Sequence, residues 1–164
     1  MIVEARTTDG MKGAVFDEDR QCRYFLWRKW NEVGRTCSFI MLNPSYADAE
    51  KDDQTIRKCI SYAKRWGYGR LGVVNVYPHI STDPKKLDRT LGRTVNKAFL
   101  ERTCGASDRI ICAWGQHAHP DDVKDVQRAL DVHGSVYALR LNKDGTPSHP
   151  LYLSGSIEPV RFLP

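Results

Sequence analysis

No apolar run in this sequence approaches the roughly 18 residues of a membrane span, and the opening residues MIVEARTTDG lack the basic-then-apolar order of a secretory signal. Both absences point to a cytoplasmic protein with no membrane contact. Cysteine is sparse and lacks the spacing of a site: five residues, at positions 22, 37, 59, 104 and 112, an odd number with no CxxC pair. That excludes a disulfide framework or a zinc knuckle, and their placement inside apolar segments suits reduced, buried thiols. There is no internal repeat, low-complexity tract or linker to divide the 164 residues, of which 41% are hydrophobic. One domain, 1–164, with a proper core is the expectation. Acids are fewer than bases, 20 against 25, for a net charge of +5. The resulting pI of about 9.0 favours polyanionic partners without requiring them.

What is present has a changing rhythm. Residues 14–30 read as a β-hairpin, with a polar turn at Asp17-Glu18-Asp19-Arg20 and aromatics at Tyr24, Phe25, Trp27 and Trp30. This hairpin is expected to form an N-terminal edge or covering layer. The core, 36–154, alternates short apolar runs with segments of helical period, the signature of βα units. The runs are Ser38 to Leu42, Leu71 to Tyr77, Arg109 to Trp114 and Ser135 to Leu139. Between them, Ile56, Cys59, Ile60, Ala63 and Trp66 mark a first helix, with Asp52 and Asp53 available as caps and Gly67 as the stop. Leu91, Val95, Ala98, Phe99 and Arg102 mark a second, weakened near its start by Gly92. A third begins at Pro120, with Asp121 and Asp122 complementing its amino terminus and Val123, Val126 and Leu130 facing inward before Gly134. The predicted fold is α/β: a three-layer αβα sandwich around a four-stranded parallel sheet, plus the N-terminal hairpin.

In such a fold ligands gather along the carboxyl edge of the strands. Asn43, Asn75 and His149 each fall where an apolar run or its loop gives way to Pro or a polar turn. After the first run come Asn43-Pro44-Ser45-Tyr46-Ala47-Asp48, where an amide can hold a water and Pro44 stiffens the turn; Asn-Pro is equally good turn chemistry. Asn75 interrupts a buried strand, and its carboxamide can pair with a nucleobase edge or tie two loops together. Trp114-Gly115-Gln116-His117 ends the third run, where Gly115 permits close backbone approach. The following His117-Ala118-His119-Pro120-Asp121-Asp122 is similar to an HxHxDH metal motif, but it ends in Asp and serves as well for a helix start, so no metal is expected. His149 stands between two prolines in the Gly145–Pro150 loop, followed by Tyr152, and can donate to a developing oxyanion or simply pack on an aromatic. Arg23, Arg28, Lys29, Arg70 and other bases lie among aromatics, as a phosphate-binding face or an ordinary solvated surface.

Two resemblances follow from these motifs. Along nearly its whole length the chain resembles the bacterial and phage family known as domain of unknown function 1643. The likeness is carried by Arg23-Tyr24-Phe25-Leu26-Trp27-Arg28, by Phe39-Ile40-Met41-Leu42-Asn43-Pro44-Ser45, and by Asp52-Asp53-Gln54-Thr55. Trp66-Gly67-Tyr68, Val74-Asn75-Val76-Tyr77, Ala113-Trp114-Gly115 and His149-Pro150-Leu151 extend it. That membership implies no particular activity. The order of motifs is also similar to the uracil-DNA glycosylase superfamily. Asn43-Pro44-Ser45 resembles its water-positioning motif, Asn75 its base-reading Asn, Trp114-Gly115-Gln116-His117-Ala118 a segment closing its third strand, and His149-Pro150-Leu151-Tyr152-Leu153-Ser154 part of its last loop. The sequence departs from that superfamily by lacking an aspartate in the first motif and by placing Leu151-Tyr152 where Ser-Pro is expected.

The glycosylase resemblance implies cleavage of an N-glycosidic bond on a damaged, mispaired or modified pyrimidine taken out of the stack, with DNA or a nucleotide as partner. Asn43 would hold the water and His149 would stabilise charge on the base. Asp48, Asp52 or Asp53 would supply the basicity an amide lacks, unless the substrate has a good leaving group. Asn75 would read the base edge, with Tyr46, Pro44, Ser45, Trp114, Gly115, His117 and Tyr152 around it. No cofactor and no obligate protein partner are implied. A non-catalytic reader of a modified base, or another nucleotide-processing enzyme on the same scaffold, fits the same residues.

Overall fold

A computed structural model describes residues 1–164. The first thirty residues form β1 (Ile2–Arg6), β2 (Lys12–Asp17) and β3 (Arg23–Lys29). Asp17 closes the β2–β3 turn by accepting the Cys22 N–H on Oδ1 at 2.7 Å. Then come β4 (Thr36–Met41), α1 (Gln54–Arg65), β5 (Arg70–Asn75), a 3-10 turn at Pro84–Lys86, and α2 (Arg93–Ala106). The chain ends with β6 (Arg109–Ala113), α3 (Pro120–Leu130), β7 (Val136–Ala138) and β8 (Val160–Arg161).

All eight strands share one sheet, ordered β1-β2-β3-β5-β4-β6-β7-β8. The β4–β5, β4–β6 and β6–β7 pairings are parallel, whereas β1–β2, β2–β3, β3–β5 and β7–β8 are antiparallel. This corrects the expected four-stranded parallel sheet, because the sheet is twice that size and mixed. Of the two places expected for the hairpin, an edge or a covering layer, the structure takes the first: β3 pairs directly with β5, so the hairpin extends one side of the sheet. The reason lies in β3, which carries a buried Leu26 and Arg28 between partly covered Phe25 and Trp27, the two-sided burial of an interior strand. β1 and β8 were not foreseen, since β1 is mostly exposed and β8 is two residues long, leaving neither a readable apolar alternation.

Alternation along β4 divides the core. Cys37, Phe39 and Met41 join Ile56, Cys59, Tyr62 and Ala63 of α1 in one apolar cluster. Ile40 and Leu42 join Leu100 and Cys104 of α2 and Val126, Ala129 and Leu130 of α3 in another. Helices therefore cover both faces of the sheet. α1 starts where expected, with Asp53 as N-cap accepting the Ile56 N–H at 2.8 Å. α2 differs: Gly92 stands just outside it as a left-handed N-cap, φ 67°, and the buried face is Asn96, Leu100, Thr103 and Cys104 instead of Val95 and Ala98. The polar Asn96 is tolerated inside because its Nδ2 donates to the carbonyls of Asn75 and Val76 at 2.9 and 3.2 Å. α3 begins at Pro120, capped by Nδ1 of His119, which accepts the Asp121 N–H at 3.2 Å. All five cysteines are free and buried, and burial pushes Cys22 up to about 11 and Cys37 and Cys104 up to about 12.

Candidate functional site

The carboxyl ends of β4, β6 and β7 open onto a cavity of about 400 Å³. Leu42 and Asn43 enter it from β4, Trp114, Gly115, Gln116 and His117 from β6, and Arg140, Asn142, Ser148, His149, Tyr152 and Leu153 from the segment after β7. The position follows from the topology: strands on either side of the β4 start point turn away to opposite helical layers and leave a crevice between their ends.

Local chemistry holds the walls. Gly115 adopts φ 74°, a conformation that disfavours any side chain, and its N–H donates to the Pro147 carbonyl at 2.8 Å. The 140–148 segment folds back on itself through a Leu141–Pro147 bridge. Ser148 fastens it further, its Oγ donating to Asn142 Oδ1 at 2.7 Å and its N–H to the Arg140 carbonyl at 2.8 Å. His149 thus projects from a stiff stem. Its Nδ1 accepts the Leu151 N–H at 3.3 Å, which leaves the proton of the neutral ring on Nε2. His149 is exposed at the cavity rim, yet partial desolvation by the surrounding walls lowers its pKa below the ordinary 6.5, against the opposing charge of Asp53, so the neutral donor form prevails near pH 7.

Asn43 lines the same cavity, but its Nδ2 is already engaged, donating to the Ser81 carbonyl at 2.7 Å and to Pro44 at 2.9 Å. Only Oδ1 remains to hold a water. Asp48 is folded into its own turn, with Oδ1 accepting the N–H groups of Glu50 and Lys51 at 2.8 Å each. Burial raises its pKa, but those two bonds and the charges of Lys51 and Arg28 outweigh it and hold the carboxyl below 3.8. Asp53 is committed to capping α1. Neither carboxylate lines the cavity. Pro44 is buried beside it, Ser45 half-buried, and Tyr46 is 79% exposed and points its ring at solvent. Asn75 is 1% exposed, stands behind the wall at the end of β5, and its Nδ2 has no hydrogen-bond partner. The structure therefore brings together Asn43, His149, Trp114, Gly115, His117 and Tyr152, and leaves Asn75, Asp48, Asp53, Tyr46, Pro44 and Ser45 outside the cavity lining.

Sequence reasoning assigned Arg23 and Arg28 to a surface face, whereas both are buried. The register shifts at Val15/Phe16, where Arg23 and Phe25 face consecutive β2 residues and Tyr24 becomes the extra one. Two arginines five apart thereby share a face and clamp the segment from Ala47 to Asp52. Arg23 Nη1 donates to the Ala47 carbonyl at 2.6 Å, while its Nε has no partner. Burial pushes this guanidinium down to about 10, with Asp53 the largest opposing influence. The available signal was two cations inside a strand otherwise rich in buried apolar groups. Arg140 and Asn142 were also missed, since only the folded hairpin brings them to the cavity.

Fold and site together define a mixed α/β protein with a polar cavity at the carboxyl edge of its parallel strands. The chain belongs to the family described as protein of unknown function (DUF1643), whose model matches residues 23–151. No curated protein matches it.

Proposed function

We propose that the cavity accepts a pyrimidine base taken out of nucleic acid or carried by a nucleotide, and that the protein hydrolyses its N-glycosidic bond as a glycosylase-like enzyme. The observation that carries this reading is the pairing of a neutral His149, protonated on Nε2, with an Asn43 whose Oδ1 is free, in one cavity beside Trp114 and Tyr152. Water held by Asn43 Oδ1 adds to the sugar C1′ as the C1′–N bond breaks. The electron pair of that bond passes to the base, where His149 Nε2–H stabilises the charge on an exocyclic carbonyl oxygen, and the proton shed by the water neutralises the departing base anion. Tyr152, 93% exposed at the mouth, offers a ring for stacking, and Arg140 a charge for phosphate. Asn75 is buried outside the cavity lining, so it reaches the base only if the wall rearranges. The resemblance of the motif order to that of the uracil-DNA glycosylase superfamily supports the same reading.

One observation favours a second reading, a non-catalytic reader of a modified base. Asp48 and Asp53 are spent on turn and cap, so the cavity wall offers no carboxylate base. Incubation of the protein with single- and double-stranded oligonucleotides carrying uracil, mismatched thymine or 5-substituted pyrimidines, scored for alkali-labile abasic sites, separates the two. Cleavage is expected to fall about 100-fold in His149→Ala, the cost of one oxyanion donor. His149 is the better control because its single protein hydrogen bond is local, whereas Asn43→Ala also releases the Ser81 loop. Binding without abasic sites on any oligonucleotide would leave the reader.

A further inference from the structure

A second cavity, of about 420 Å³, lies at the opposite end of the parallel strands, between the sheet and α2. Its floor is one row of paired residues crossing five strands: Arg6, Gly13, Trp27, Gly72 and Ser38. Two glycines and a serine stand where a helix-covered sheet ordinarily carries branched apolar side chains, so the layer above cannot close on it. A Cβ on Gly13 would fall inside the Trp27 indole, so the ring lies flat across that glycine. Phe25 stacks beside it with ring centroids 5.8 Å apart and planes inclined by 22°, and both rings line the cavity. Ser38 is turned to the same side, where its Oγ accepts from Ser107 Oγ at 2.6 Å.

The charges around this trough are one-sided. Arg6, Lys29, Arg70 and Arg102 line it against a single acid, Glu4, which lies 3.8 Å from Arg6. Lys29, Arg70 and Arg102 have no carboxylate partner among the ion pairs of the molecule. The Nε of Arg70 is buried with no acceptor at all, an arrangement that is costly unless something supplies one. Aromatic rings flanked by unpaired guanidinium groups, in a volume suited to a small molecule, match an aromatic base bearing a phosphate.

We infer that the trough is a binding site for a nucleoside phosphate, distinct from the cavity that holds His149, with the base stacked on Trp27 and Phe25 and the phosphate held by Arg70 and Arg102. The phosphate belongs to a free nucleotide or to a single strand, and the two are distinguished by experiment. The full chain is titrated with AMP, adenosine, inorganic phosphate and an eight-residue single-stranded oligodeoxynucleotide. The indole N–H signal of Trp27, assigned with Trp27→Phe, is followed by NMR. AMP or the octamer is expected to shift that signal, with affinity falling about tenfold or more in Arg70→Gln/Arg102→Gln. Saturation by AMP assigns the site to a free nucleotide, and saturation by the octamer alone assigns it to a strand. Should the double variant fail to fold, Arg102→Gln on the exposed side of α2 carries the same comparison. A Trp27 signal unmoved by both ligands overturns the inference, as does an affinity indifferent to the arginines. Adenosine or inorganic phosphate binding as tightly as AMP overturns it too. His149→Ala leaves these titrations unchanged, so this site and the proposed hydrolysis stand or fall separately.

Discussion

In urea, the Arg28→Met variant is expected to unfold with a free energy about 3–5 kcal/mol below the parent, and with a Tm lower by about 10 °C. Arg28 is 2% exposed and every nitrogen of its guanidinium is engaged. Nε donates to Asp52 Oδ1 at 2.7 Å. Nη1 donates to the carbonyls of Trp27 at 2.8 Å and Gly13 at 3.3 Å, and Nη2 to those of Asp48 at 2.7 Å and Lys51 at 3.2 Å. Methionine matches much of the apolar stem but removes all five donated bonds, leaving the Asp48 carbonyl without a donor, while the Lys51 carbonyl keeps the Asp48 N–H. Asp52 retains some contact with water and part of its loss is recovered, so the backbone carbonyls decide the effect. Adding Asp52→Asn to Arg28→Met should therefore restore only a minor fraction of the stability. Full restoration would show that the ion pair alone matters and would refute the clamp.

The second large effect belongs to Asp122. This carboxylate, 4% exposed at the start of α3, accepts from Tyr77 Oη at 2.8 Å and from Arg89 Nε at 2.6 Å, with Arg93 Nη1 2.9 Å from its other oxygen. Tyr77 in turn accepts the His119 N–H at 2.9 Å, so the cluster joins the end of β5 to the cap of α3. Asp122→Ala is expected to destabilise by about 3 kcal/mol, near the low end for a broken buried pair, because Arg89 and Arg93 are partly exposed and can rehydrate. Burial raises the Asp122 pKa, but the bonds from Arg89 and Tyr77 and the charges of Arg89 and Arg93 together hold it below 3.8. A depressed carboxylate adds stability above its unfolded pKa and loses it as the pH falls through the folded one. Unfolding free energy measured from pH 7 to pH 2 should then decline less steeply in Asp122→Ala than in the parent. Parallel acid limbs would remove Asp122 from the linkage.

The legible parts of this protein were those written in local chemistry. The period of Ile56, Cys59, Ile60 and Ala63, with Asp53 ahead of it, specifies α1 to its cap, because capping and amphipathicity act within one or two turns. Pro120 with Asp121 and Asp122 marks α3 in the same way. The short apolar runs specify strands, and the rule that ligands sit at carboxyl ends placed Asn43 and His149 on the same cavity. The sheet's extent was not legible, since β1 owes its existence to pairing with β2 and carries little apolar pattern of its own. The inward face of α2 was misread because Asn96 is buried for its hydrogen bonds to Asn75 and Val76, a reason that resides in another element.

What the sequence determined by itself, then, is the kind and order of the central elements and the chemistry waiting at strand ends, because propensity, caps and turns depend on near neighbours. Tertiary structure alone decided which polar groups stay free. It engaged Asn43 Nδ2 on Ser81, put Asn75 behind the wall and turned Arg23 and Arg28 inward across a bulge. It also laid Gly13, Trp27, Gly72 and Ser38 into one row under α2. Those outcomes depend on register and hydrogen-bond partners contributed by residues far apart in the chain, which no local pattern records.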